Sequence, residues 1–105
     1  MSKYRNIKST VDGITFDSKK EAARYGTLKL RERAKDISEL RCQVRYNIEL
    51  NGVKLFAYVA DFVYVFNGIT IIEDVKSEIT RKNPVYRIKK KAMTAQFRIE
   101  IREVC

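Results

Sequence analysis

The chain has 105 residues, enough for one domain around a single modest core. Lysine and arginine total 22 against 13 aspartates and glutamates, and the net charge of +9 favours a polyanionic partner such as nucleic acid over an acidic small molecule. There is no histidine, and Cys42 and Cys105 have no metal-ligand spacing, so the usual zinc sites and histidine-based nucleophilic catalysis are excluded; carboxylates, lysine and a hard metal ion remain.

Residues 1–10 read as a basic arm, with Lys3, Arg5 and Lys8 around Tyr4 and Ile7. Asp12-Gly13 between short β-prone runs predicts a small hairpin over Val11 to Phe16. From Asp17 the composition turns to Ala, Leu, Lys, Arg and Glu, which predicts a helix over about 18–35 with Asp17 or Ser18 as N-cap. Glu21, Tyr25 and Leu28 share one stripe of it, so a glutamate lies on the inward face. Ser18-Lys19-Lys20-Glu21 also fits a capping box, which gives that glutamate a purely structural use.

Ile37 to Leu40 reads as a connector. Cys42–Leu50, Val53–Phe66 and Ile69–Lys76 then read as strands joined by Asn51-Gly52 and Asn67-Gly68, two type I′ turn signals that make an antiparallel three-stranded meander. The middle strand is apolar on both sides, with Ala60, Phe62, Tyr64 and Phe66 on one face and Val59, Val63 and Val65 on the other, so a helix is expected over each face. Ser77 to Asn83 is a polar linker. Pro84 opens a second helix to about Gln96, with Val85, Ile88, Ala92 and Ala95 as its buried stripe. Tyr86, Arg87, Lys90 and Lys91 form the candidate phosphate-contacting surface of that helix. Phe97 to Val104 alternates as a last strand.

A two-residue loop at Asn67-Gly68 sets Phe66 opposite Ile69 and, in the same register, Asp61 opposite Asp74. Like charges facing each other across a strand pair repel, and apolar neighbours strengthen the repulsion. A divalent cation reverses its sign. Lys76, two residues beyond Asp74, shares its face. Glu73 points the other way and is the less favoured ligand; a one-residue bulge would exchange the two. In this register Gln43 falls on the wrong face to take part.

An inward glutamate on the first helix, an aspartate on a middle strand and Asp74-Val75-Lys76 on the next, in an αβββαβ order, resemble the PD-(D/E)XK nuclease superfamily. The fold this implies is the restriction-endonuclease-like one, an α/β domain over residues 1–105 whose mixed sheet carries an antiparallel three-stranded meander flanked by helices. FDSKKEAARY, YVADFVYVF and IIEDVKS followed by YRIKKK are similar, over nearly the whole chain, to a family of small phage and prophage proteins catalogued as a domain of unknown function. The chain departs from these patterns at Ala60, where the superfamily has proline, and at Ser77, where the closer family has glycine.

The resemblance implies that Asp61 and Asp74 are metal ligands with the carbonyl of Val75. Glu21 completes the shell directly or through water, and Lys76 orients or activates the attacking water and offsets charge on the phosphorane. Oxygen-only ligands suit Mg²⁺ or Mn²⁺. The implied protein is a metal-dependent DNA endonuclease of phage replication or recombination, acting in the bacterial host cytoplasm. A version specific for Holliday junctions or branched DNA is included, and a homodimer is expected because two strands need two sites. No membrane and no small-molecule cofactor are expected. The rival reading is a catalytically silent DNA-binding protein on a nuclease fold; an RNA module is weaker, because no ribonucleoprotein-type aromatic motif appears.

Overall fold

The computed structural model describes residues 8–105; most of the basic arm expected over residues 1–10, with Lys3, Tyr4 and Arg5, lies outside the described residues. Among the described residues, six strands and three helices follow in the order β1 (Ser9–Val11), β2 (Ile14–Phe16), α1 (Lys19–Arg33), β3 (Ser38–Leu50), β4 (Val53–Phe66), β5 (Ile69–Val75), α2 (Glu78–Arg81), α3 (Pro84–Phe97) and β6 (Ile101–Val104). Among the described residues the first two strands pair only with each other. The rest form a mixed sheet in the order β3-β4-β5-β6, antiparallel except for the parallel β5-β6 pair.

The meander follows from its turns. Asn51 and Gly52 have φ of 52° and 78°, and Asn67 and Gly68 have 51° and 75°. Paired positive φ values are what a type I′ turn requires, and its twist matches that of the flanking strands. Phe66 faces Ile69, as the two-residue loop demands. Three spans differ from expectation: the last strand, expected over Phe97 to Val104, covers only Ile101–Val104, because α3 runs through Phe97 and closes on Arg98 with φ of 57°. The connector before Cys42 is already strand from Ser38, and the linker after Lys76 holds the short helix α2, capped when Ser77 Oγ accepts the Thr80 N–H at 3.1 Å.

One helix covers each face. On one side Tyr25 and Leu28 of α1 pack with Phe16, Ile37, Phe62 and Tyr64; on the other Tyr86 and Met93 of α3 pack with Ile48, Tyr58, Ala60, Val63, Ile72 and Ile101. The assignment of residues to faces departs from simple alternation. Tyr58 and Ala60 belong to the α3 side, whereas Phe62 and Tyr64 belong to the α1 side. On β3, Val44 and Cys42 divide the same way. The register runs unbroken across this point, Cys42 against Phe62 and Val44 against Ala60, so both strands turn over together. Gln43 absorbs the change with φ of 54°, and Asp61 sits beside it on β4. Ala60 therefore leaves the face expected for it, and Val59 is not covered but 48% exposed.

The α3 helix is also rotated from expectation. Val85 and Ile88, expected inside, are each 60% exposed. The buried positions are Tyr86 and Met93, seven residues apart, with Phe97 partly buried beyond them. Of the expected stripe Ala92 does pack against the core, but the larger side chains beside it bury more apolar area than Val85, Ile88 and Ala95 can, and the Tyr86 hydroxyl finds an acceptor in Glu103 Oε2 at 2.7 Å.

Candidate active site

Where both strands turn over, the β4-β5 ladder ends at Phe62 against Glu73. Asp61 and Asp74 come next, and they avoid facing each other as bare charges. The Asp61 N–H donates to Asp74 Oδ1 at 2.9 Å, and the Val75 N–H donates to Asp61 Oδ2 at 2.8 Å. Each carboxylate thus reaches across and takes the place of a ladder carbonyl. A hydrogen bond to a charged group contributes roughly 1.5–3 kcal/mol, which offsets part of the desolvation. The Tyr58 hydroxyl donates to Asp74 Oδ2. Val75 is brought to the same point; in extended backbone its N–H and C=O face one neighbour, so its carbonyl is directed toward Asp61 as well.

Glu73 and Asp74, adjacent in sequence and both fully buried, have opposite environments. Glu73 points toward α1, where Arg24 binds it in a fork, Nε to Oε1 at 2.8 Å and Nη2 to Oε2 at 2.7 Å, and the Tyr64 hydroxyl adds a third donor. Burial alone would raise its pKa, but Arg24 and Tyr64 outweigh it and hold the carboxyl below its ordinary value. Among the described residues Asp74 has no such cation in contact. Burial pushes it up to about 6, against the Asp61 N–H and Lys76. Burial likewise raises Asp61, the Val75 N–H and Lys76 opposing.

Glu21 belongs to this group. Ser18 is the N-cap and accepts the Glu21 N–H at 3.2 Å, so the residue sits in the first turn of α1 while its carboxylate lies within the field of Asp61 and Lys76. Burial first, then the negative charges of Asp61 and Asp17, push it up to about 7. Lys76 eases all three carboxylates, and its Nζ stands 5.0 Å from the centre of the Tyr86 ring. Asp61, Asp74 and Val75 are thus joined by hydrogen bonds, with Glu21 and Lys76 within electrostatic reach of Asp61.

These shifts set a pH dependence. A raised carboxylate pKa means that the folded state holds protons the unfolded chain releases, so the associated stability is full below the ordinary value and lost as pH rises through the folded one. For Glu21 the window is about 4.5 to about 7, and for Asp74 about 3.8 to about 6. Thermal melts in EDTA should show the wild type losing Tm more steeply than Glu21→Gln across pH 4.5–7. Parallel curves would mean that Glu21 does not share the field.

Among the described residues, no three histidine, cysteine, aspartate or glutamate side chains form a ready-made metal cage. The donors nonetheless fit a Mg²⁺-type ion, which keeps several waters and commonly takes one or two protein carboxylates together with substrate phosphate. Asp61 and Asp74 supply hard oxygens in a setting where their charge is under-compensated, and Asp61 Oδ1 accepts no hydrogen bond from the described residues.

Of the four α3 residues expected to meet phosphate, Tyr86 is buried with its hydroxyl bound to Glu103, so it packs inside. Arg87 and Lys91 are exposed, and Lys90 lies 3.4 Å from Glu103. With Arg81 these three cations line a cleft of about 480 Å³. Tyr58, which donates to Asp74, and Asp17, expected only as a helix cap, are neighbours of the site that the sequence alone does not assign to it. Tyr58 was hidden because simple alternation cannot place it beside Asp74 until the turn-over at Asp61 is known. Gln43 Nε2 donates to the Thr15 carbonyl at 2.8 Å. Among the described residues no helix is long and apolar enough to cross a membrane.

No curated protein and no solved structure matches this chain. Residues 1–104 match the family described as "Protein of unknown function (DUF1064)", and the chain belongs to that family.

Proposed function

We propose that this protein is a metal-dependent DNA endonuclease that hydrolyses phosphodiester bonds, on a restriction-endonuclease-like core of the PD-(D/E)XK type. The observation that carries the reading is the meeting of Asp61 and Asp74 at the end of the β4-β5 ladder, with Glu21 and Lys76 beside them and their pKa values raised. Carboxylates with raised pKa values grouped around one lysine are a mark of functional sites, and the buried ion pair of this sheet is supplied separately by Glu73 and Arg24.

Asp61, Asp74 and the Val75 carbonyl would hold Mg²⁺ or Mn²⁺, with Glu21 completing the shell directly or through water. When bound, the ion supplies Lewis-acid polarisation of a phosphoryl oxygen and a water of lowered pKa. Lys76 places its ammonium against charge developing on the scissile phosphate, and Tyr86 limits where that ammonium can go. Arg87, Lys90 and Lys91 hold flanking phosphates of the DNA. The biological setting that suits this chemistry is phage or prophage replication or recombination in the host cytoplasm, with two copies for two strands.

A second reading, a DNA-binding protein without catalysis, draws on the hydrogen bonds that already occupy both oxygens of Asp74. Metal addition separates the two. For the nuclease, millimolar Mg²⁺ at pH 7 should raise the Tm of the wild type and leave that of Asp61→Asn unchanged; an equal response of both proteins to the ion would favour the silent binder.

A further inference from the structure

The β5 strand pairs with β4 only from Phe62 to Phe66, while β4 itself begins at Val53. Beside the unmatched part of β4 lies a second cleft, of about 340 Å³, lined by Ala57, Tyr58, Val59, Lys76, Asn83, Val85, Tyr86 and Lys89. It opens next to the proposed site, since Lys76 belongs to both. Its exposed walls are apolar: Val59 on the strand is 48% exposed and Val85 on the helix 60%. Its rim is cationic, with Lys76 at one end and Lys89 at the other, the latter held 5.8 Å from the centre of the Phe56 ring. The β4 edge facing it has no strand beside it among the described residues, so alternate backbone N–H and C=O groups there remain open to a ligand.

From this geometry we infer that the cleft receives one unpaired nucleotide adjoining the scissile phosphate, so that the preferred DNA is a strand with an unstacked base rather than an unbroken duplex. The inference rests on the nuclease reading for the position of that phosphate. A duplex shows its surroundings phosphate and sugar, with the apolar faces of its bases hidden in the stack. A valine-lined wall between two lysines matches a base only after it has left the stack. The volume suits one such unit, at the small end of small-molecule sites. Lys76 and Lys89 match the phosphates on either side of it, and open strand-edge groups can meet the polar edge of the base. Single-strand binders pair the same two elements, a cationic track and a face for each base.

The test is a comparison of affinities in EDTA, where no cutting occurs, for a labelled matched duplex and the same duplex carrying a single-stranded flap. The wild type should bind the flap about tenfold more tightly, the effect of seating one base. Val85→Ser and Val59→Ser should each bring the ratio of the two affinities toward one. Unaltered melting curves of these surface variants would show that the fold is intact. Equal binding of both DNAs by the wild type, or a preference that survives both substitutions, would overturn the inference. Neither result bears on whether the protein cuts DNA, because the ratio is read without metal; absence of cutting with Mg²⁺ and Mn²⁺ would instead count against the nuclease reading alone.

Discussion

Lys76→Met is expected to lower DNA cleavage by about 10²–10⁴-fold, the range for losing a positioned group that handles charge or a proton in the transition state. The residue is the cation common to the three raised carboxylates, easing Glu21, Asp61 and Asp74 alike. Methionine keeps a similar aliphatic stem and removes the charge that stands over the Tyr86 ring. Affinity for DNA should fall by much less, roughly the share of one phosphate contact among several, and the salt dependence of binding should lose about one unit of slope. Single-turnover cleavage and anisotropy titrations separate the two effects. A variant that cuts as fast as the wild type would remove Lys76 from the mechanism, and a loss of binding that matches the loss of cutting would make it a DNA contact only.

The largest effect on stability belongs to the other side of β5. Arg24→Ala leaves Glu73 without its forked partner, with the Tyr64 hydroxyl as its remaining hydrogen-bond donor among the described residues. Breaking a buried pair costs roughly 3–5 kcal/mol, and about 3 is expected here because Arg24 keeps part of its side chain in water. In a domain of this size that corresponds to a drop in Tm of more than about 10 °C. The double substitution Arg24→Met with Glu73→Met should recover part of the loss, since two apolar side chains of similar volume leave no orphaned charge. A drop of only a degree or two in the single variant would show that Glu73 is neutral in the fold, contrary to its lowered pKa.

Glu73 and Asp74 also mark how far this fold could be read from its sequence. Local chemistry carried most of it. Two Asn-Gly pairs with positive φ located the hairpins and set Phe66 against Ile69, from which the approach of Asp61 to Asp74 follows by counting. Ser18, Ser77 and Asn83 cap their helices with their own oxygens, and such bonds depend on only a few neighbouring residues. What failed to show was anything decided by packing between distant segments. The joint turn-over of β3 and β4 at Gln43 and Asp61 breaks the two-residue period without a glycine or proline to announce it. It moves Ala60 to the other core and leaves Val59 in the open. The rotation of α3 depends on Glu103, seventeen residues beyond Tyr86, offering an acceptor for the phenol. In both cases the local pattern was satisfied by more than one arrangement, and tertiary contacts selected among them.

The most direct measurement is cleavage of labelled DNA, as duplex, flap, single strand and four-way junction, by the wild type and by Asp74→Asn, with Mg²⁺, with Mn²⁺ and with EDTA. Cutting by the wild type that needs the ion and disappears in the variant is the expected result. Binding of every DNA with no cutting under any of these conditions would contradict the account and leave a DNA-binding protein in its place.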